Sequence, residues 1–198
     1  MILAEKLTAG YPGKTVLRNC DLHVLPGESC ALMGPSGCGK TTLLKLLLGL
    51  MKPVSGRGEI HGRAACVFQE PRLLPWRTAL ENVNAVLSDR GKSLGEARAW
   101  LDKLALGEAA GLYPEELSGG MQQRVAIARA LAYGGDALLL DEPLKGLDRA
   151  LKQRTAELIL ENSRNKAILL VTHDREDAAL LADHVLVYAD GLFVPEEE

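Results

Sequence analysis

The sequence lacks the marks of a membrane-spanning, secreted or nucleic-acid-binding chain. No apolar run approaches the roughly 20 residues needed to cross a bilayer. The richest stretch, Leu43 to Met51, is short and interrupted by Lys45. The start, Met1-Ile2-Leu3-Ala4-Glu5-Lys6, has neither a basic segment nor a long apolar one, which argues against a secretory signal. Only four cysteines occur, Cys20, Cys30, Cys38 and Cys66, without a C-x-x-C pair or a zinc-type spacing. They read as thiols of a reducing cytosol. Lys and Arg never cluster, and the net charge is −3, so no nucleic-acid or anionic-membrane face is indicated. Internal repeats and low-complexity linkers are absent too. The acidic end, Glu196-Glu197-Glu198, reads as a solvated tail.

What is present is a globular composition. The chain has 198 residues, 47% of them hydrophobic and 25% charged. That suffices for one domain with a sizeable core, or one domain with a small appended lobe. Strand-like runs at Ile2 to Leu7, Leu17 to Val24 and Glu28 to Met33 are broken by turns at Tyr11-Pro12-Gly13 and Pro26-Gly27. A short strand is expected at Ala64 to Phe68. Helical periodicity marks Thr78 to Leu87, Leu94 to Leu104 and Gly119 to Leu131. The last third alternates: strand Ala137 to Leu140, helix Arg149 to Glu161, strand Ala167 to Val171, helix Arg175 to Ala182, strand His184 to Tyr188. Such alternation implies an α/β fold with a parallel sheet covered by helices on both faces.

One segment speaks for chemistry. Gly34-Pro35-Ser36-Gly37-Cys38-Gly39-Lys40-Thr41-Thr42 fits the phosphate-binding pattern G-x-x-x-x-G-K-[ST]. It lies between a strand-like run and a helix-like run, as a phosphate cradle requires. Glycines let successive N–H groups turn toward an anion, and the helix N-terminus adds its own donors and dipole. Lys40 would meet the β- and γ-phosphates, and the Thr41 hydroxyl would ligate Mg²⁺.

Further along, Ala137 to Leu140 runs into Asp141 and Glu142. Ligands of open parallel sheets gather at the carboxyl ends of strands. Asp141 is therefore expected beside the phosphate loop, on Mg²⁺. Glu142 is expected to orient and deprotonate an attacking water. Leu117-Ser118-Gly119-Gly120 precedes a helix. Ser118 can cap it, and the two glycines bare its amides, making a second anion-binding helix start.

The phosphate loop, the Leu140-Asp141-Glu142 strand end and Leu117-Ser118-Gly119-Gly120 occur together and in this order. The whole resembles the ATPase subunit of an ATP-binding cassette (ABC) transporter over nearly its full length. The resemblance implies a P-loop NTPase core with a small antiparallel β lobe and a helical lobe at about 72–133, all in one domain spanning 1–198. It implies that Tyr11 stacks on adenine, that Gln69 senses Mg²⁺ and contacts membrane subunits, that Asp148 lies at a dimer interface, and that His173 meets the γ-phosphate. It further implies a head-to-tail homodimer in the ATP-bound state. Each ATP then lies between the Gly34–Thr42 loop of one subunit and Ser118-Gly119-Gly120 of the other.

Three places depart from the commoner family pattern. Met121 follows the glycine pair, and Lys145-Gly146 precedes Leu147-Asp148. The stretch Val54 to Ala65 is short where relatives place a longer antiparallel hairpin, which points to a trimmed adenine-side lobe. Phe68-Gln69-Glu70-Pro71-Arg72-Leu73-Leu74-Pro75-Trp76 is similar to the ATPases of nitrate, sulfonate, taurine and thiamine-precursor importers. The implied partners are transmembrane permease subunits and a solute-binding protein, with the chain at the cytoplasmic face of the membrane. The alternatives are an exporter ATPase and a soluble ABC ATPase of cofactor assembly or repair.

Overall fold

The computed structural model describes residues 1–87, 94–190 and 192–196. Nine strands and six α-helices are found among them: β1 Ile2–Tyr11, β2 Lys14–Val24, β3 Ser29–Met33, α1 Lys40–Leu47, β4 Ser55–Ile60, β5 Ala64–Val67, α2 Ala79–Asn84, α3 Leu94–Lys103, α4 Gly119–Tyr133, β6 Ala137–Asp141, α5 Arg149–Glu161, β7 Ala167–Val171, α6 Arg175–Leu181, β8 His184–Ala189 and β9 Leu192–Pro195. They divide into two compact units. The first comprises Met1–Ala64, Gly135–Glu142 and Ser163–Glu198, and the second Ala65–Gly134 and Pro143–Asn162.

The first unit holds two sheets. In the smaller one, β1 pairs antiparallel with β2 and with β4, setting Ile2 opposite Val24 on one side and Ile60 on the other. In the larger one, the strands of this unit run β6-β7-β3-β8-β9. β6, β7, β3 and β8 are parallel, and β9 closes the edge antiparallel to β8. Every residue of β3, β6 and β7 is buried. Strands buried on both faces read as unbroken apolar runs rather than alternating ones, and Leu138-Leu139-Leu140 and Ile168-Leu169-Leu170-Val171 do so. α1 packs on β1 and β4, and α6 on β3. The leucines of α1, Leu43, Leu44, Leu46 and Leu47, are all buried.

The second unit is mainly helical. α2 packs on α3 and α4, and α3 on α4. Three of its helices start at side-chain caps. Thr78 and Glu81 form a reciprocal capping box on α2, Ser118 caps α4 and Asp148 caps α5.

Within the short Val54 to Ala65 stretch, β4 takes up six residues and completes the small β2-β1-β4 sheet. One expectation needs correction. The acidic tail is not wholly free in solvent. Glu196 pairs with the Arg175 guanidinium, and its N–H donates to the Val185 carbonyl. Glu197 and Glu198 lie outside the described residues.

Candidate functional site

The glycine loop leaves β3 at the centre of the parallel sheet and enters α1. Its glycines are there for space and for backbone shape. A Cβ at Gly34 would sit 2.7 Å from Tyr188 Cβ and 3.0 Å from Cys38 Sγ. Gly39, with φ +112°, is the residue before α1, and a Cβ there would lie 3.0 Å from Leu17 Cδ2. Ser36, Gly37 and Cys38 form the turn between them, with Cys38 N–H donating to the Pro35 carbonyl. The first helical residue is Lys40. Its Nζ folds back to donate to the carbonyls of Gly34 (2.6 Å) and Pro35 (3.0 Å). The ammonium is thus held at the mouth of the loop, where a phosphate would lie.

Thr41 Oγ1 donates to Asp141 Oδ2 at 3.1 Å, joining the start of α1 to the end of β6. Thr42 faces the other way in contact terms: its Oγ1 lies 3.4 Å from the Tyr11 hydroxyl. Tyr11 is half exposed at the end of β1, a position that leaves its ring available to a flat ligand. Burial pushes the Asp141 carboxyl above its ordinary pKa. The Thr41 hydroxyl and the Lys40 ammonium oppose that shift, and the neighbouring Glu142 carboxylate adds to it.

Glu142 is the most constrained side chain of the site. Its φ of +50° lies in the left-handed region, a conformation that costs a residue other than glycine about 1–3 kcal/mol. Its N–H is held by the Val171 carbonyl at 2.9 Å. One carboxylate oxygen meets His173 Nδ1 at 2.6 Å, and the other accepts the Thr172 hydroxyl at 3.4 Å. Thr172 is fully buried and also accepts the Asp174 N–H at 3.1 Å. Lys40, Thr41, Asp141, Glu142 and His173 therefore converge at the carboxyl ends of β3, β6 and β7. The Thr172 contact was missed from the sequence. Its only signal is a hydroxyl residue between a buried apolar strand and a histidine.

The donors suit Mg²⁺. Among the described residues no group of three or more His, Cys, Asp or Glu side chains is placed to hold a metal. Mg²⁺ does not ask for one: it keeps waters, binds one or two protein oxygens and takes the rest from substrate phosphates. The adjacent Thr41 hydroxyl and Asp141 carboxylate are such oxygens.

Gln69, Ser118, Gly119, Gly120 and Asp148 belong to the second unit. Gln69 is exposed, two residues beyond β5. Ser118 Oγ accepts the Met121 N–H at 3.3 Å and caps α4. Gln122 steadies the approach by donating to the carbonyls of Pro114 (2.9 Å) and Leu117 (3.2 Å). A Cβ added at Gly119 would meet nothing within 4 Å, whereas one at Gly120 would lie 3.3 Å from the Gly146 carbonyl oxygen. The α4 start is thus open on one side and packed on the other against the turn that leads to Asp148. Asp148 itself accepts the Leu151 N–H at 3.0 Å.

The ABC transporter family model matches residues 17–145. The chain belongs to the ABC transporter family. The aliphatic sulfonates import ATP-binding protein SsuB of Corynebacterium glutamicum is 46% identical over 191 residues, covering 93% of this chain and 79% of that protein. A protein of the same description from Streptomyces avermitilis is 42% identical over 199 residues, covering 100% and 76%. Among solved structures, the dimeric post-hydrolysis state of an ATP-binding cassette bound to ADP and Pi superposes with a TM-score of 0.89 at 31% identity, covering 100% of this chain and 98% of that one. The parallel-sheet core with its small antiparallel sheet is accordingly the ABC ATPase fold, and the chain is an ATP-binding and ATP-hydrolysing subunit of this transporter family.

Proposed function

We propose that this ABC ATPase drives an importer of organic sulfonates, docked on permease subunits at the cytoplasmic face of the membrane and served by a solute-binding protein. The observation that carries the direction and the substrate class is the run of aliphatic-sulfonate import relatives at 42–47% identity over nine-tenths or more of the chain in most cases. The second unit's Gln69 to Trp76 segment supports the docking. Trp76 is 70% exposed, and Leu73 and Leu74 are half-buried beside it.

The reaction follows from the residues of the first unit. Gly34 to Thr42 cradle the phosphates, with Lys40 releasing the loop carbonyls to meet the β- and γ-oxygens. Thr41 and Asp141 would hold Mg²⁺, which neutralises charge on the transferring phosphoryl group when bound, and Gln69 is the residue that senses the ion. Glu142 takes the proton of the attacking water. His173 and Thr172 hold its two oxygens so that the carboxylate faces one way, and His173 reaches the γ-phosphate with the ring edge that Glu142 leaves open. Tyr11 stacks on adenine. Ser118, Gly119 and Gly120 close the site on ATP held by the partner subunit of a homodimer, with Asp148 at the same interface. The whole of 1–198 acts as one ABC ATPase domain with its helical lobe at about 72–133.

The experiment is complementation. A bacterium whose own sulfonate-importer ATPase is deleted is supplied with this chain and its cognate permease, then grown with an alkanesulfonate as sole sulfur source. Growth that depends on Lys40 is the expected result. Robust complex formation without sulfonate uptake would reassign the substrate. Failure to copurify any permease from native membranes would remove the transport reading altogether.

A further inference from the structure

In the second unit, two side chains hold the loop that follows Gln69. Asn82, on α2, is fully buried. Its Oδ1 accepts the Leu74 N–H at 2.8 Å, and its Nδ2 lies within 3.0–3.2 Å of the carbonyls of Leu74, Arg77 and Thr78. Arg129, on α4, reaches an earlier part of the same loop. Its Nη1 donates to the Arg72 carbonyl and its Nη2 to the Pro71 carbonyl, each at 3.0 Å. The two meet where Arg129 Nη1 approaches Asn82 Oδ1 at 3.5 Å.

The energetics show what this arrangement is for. Burial lowers the Arg129 guanidinium pKa, and its contacts are to neutral carbonyls. A buried cation met by dipoles is a poor way to gain stability, since an apolar side chain would cost less to desolvate. What it provides is geometry: a rigid fork spans two successive carbonyls and fixes their directions. The loop needs fixing, because Arg72 sits at φ +47° and no strand or helix pairs its backbone.

We propose that Asn82 and Arg129 are positioning residues, a two-point clamp that holds the Gln69 to Trp76 loop in the conformation that ATP turnover requires. This rests on the reading of Gln69 given above. The helix that carries Arg129 is the one that begins at Ser118. The clamp therefore ties the loop and the second anion-binding helix start into one body.

Trp76 reports the loop directly. The chain has two tryptophans, so Trp100→Phe leaves Trp76 as the sole emitter. In that background, Arg129→Gln and the gentler Arg129→Lys and Asn82→Ser are compared by acrylamide quenching, far-UV circular dichroism and steady-state ATPase. Lysine keeps the charge but cannot span two carbonyls, so it is expected not to rescue. The expected result for folded variants is a detectable rise in the quenching of Trp76 by local opening, well short of a doubling because the indole is already 70% exposed. kcat for Mg·ATP should fall about tenfold with KM within about twofold, since misplacement removes orientation rather than binding. Quenching and kcat both at the parent's values, with only a lower melting temperature, overturn the clamp. So does raised quenching with unchanged kcat, provided that Gln69→Ala does lower kcat. If Gln69→Ala leaves kcat intact, the Gln69 reading fails instead, and the quenching arm then decides the clamp alone.

Discussion

Glu142 combines a strained backbone, 7% exposure and two partners on one carboxylate. Strain of that kind persists only where the surroundings over-determine it, and here Val171, Thr172 and His173 hold the residue. Glu142→Gln keeps the size and one oxygen but cannot take a proton. Turnover in a steady-state assay should fall by about 10²-fold or more while ATP binding persists. Turnover within a few-fold of the parent would move the base elsewhere. The cysteines separate by the same kind of local accounting. Burial pushes the Cys20 thiol up to about 11 and the Cys30 thiol up to about 12. Near pH 7.5 these two are almost wholly protonated, and the thiolate is the reacting species. Half-buried Cys66 should therefore label first with a maleimide, and Cys20 and Cys30 only on unfolding, as read by peptide mass spectrometry. Early labelling of Cys30 would mean that β3 opens.

At the scale of elements, the joint between α6 and β3 sets the foundation of the phosphate loop. Ser29 begins β3 and Asp183 follows α6. Ser29 N–H and Oγ both donate to Asp183 Oδ2, and Asp183 N–H returns to Ser29. The Ser29 hydroxyl chiefly holds the Asp183 carboxyl below its usual range. Because the folded pKa is the lower one, the stabilisation is complete above the unfolded value. It is lost as pH falls through the folded one. Asp183→Asn should thus lower stability at neutral pH by about 0.5–1 kcal/mol, discounted for the solvent around this carboxylate, and the difference should close in acid. Urea melts at pH 7 and pH 3 measure it, and an equal loss at both would exclude the carboxylate. The elements the sequence made legible share a cause with those it hid. α5 and β7 are found at their expected bounds because a capping Asp148 and a five-residue apolar run mark them without ambiguity. β4, Ser55-Gly56-Arg57-Gly58-Glu59-Ile60, has no alternating apolar face, and β1 supplies its pairing from far away in the sequence. β9 is only four residues long and contains Pro195, which an edge strand tolerates. The core of the site was legible because Gly34 to Thr42, Asp141 and Glu142 follow from loop and strand-end chemistry. Asn82, Arg129 and Thr172 were not, since their partners are backbone groups or side chains brought close only by folding.

For the whole molecule, the second helix start is the feature that one chain leaves unexplained. The amides at the start of α4 are bared by Gly119, beside which a Cβ would find open space. A helix N-terminus with its dipole attracts an anion. In a two-fold dimer it would face the γ-phosphate held by the partner's Lys40, giving two composite sites. That arrangement makes association depend on the nucleotide. The chain carrying Glu142→Gln should be monomeric without nucleotide and dimeric with Mg·ATP, by light scattering. Gly119→Asp then tests the helix start itself. The added side chain has room, so the fold should hold, and the phosphate loop of the same chain is untouched. Its carboxylate, though, would oppose the incoming γ-phosphate. The double variant should bind ATP within a few-fold of the Glu142→Gln chain, yet its dimer should weaken by about tenfold or more, the scale of one like-charge contact in a desolvated interface. ATP binding that falls even at dilutions where both chains are monomeric would mean that the substitution acts within one chain. Dimerisation that survives Gly119→Asp would place the interface away from α4.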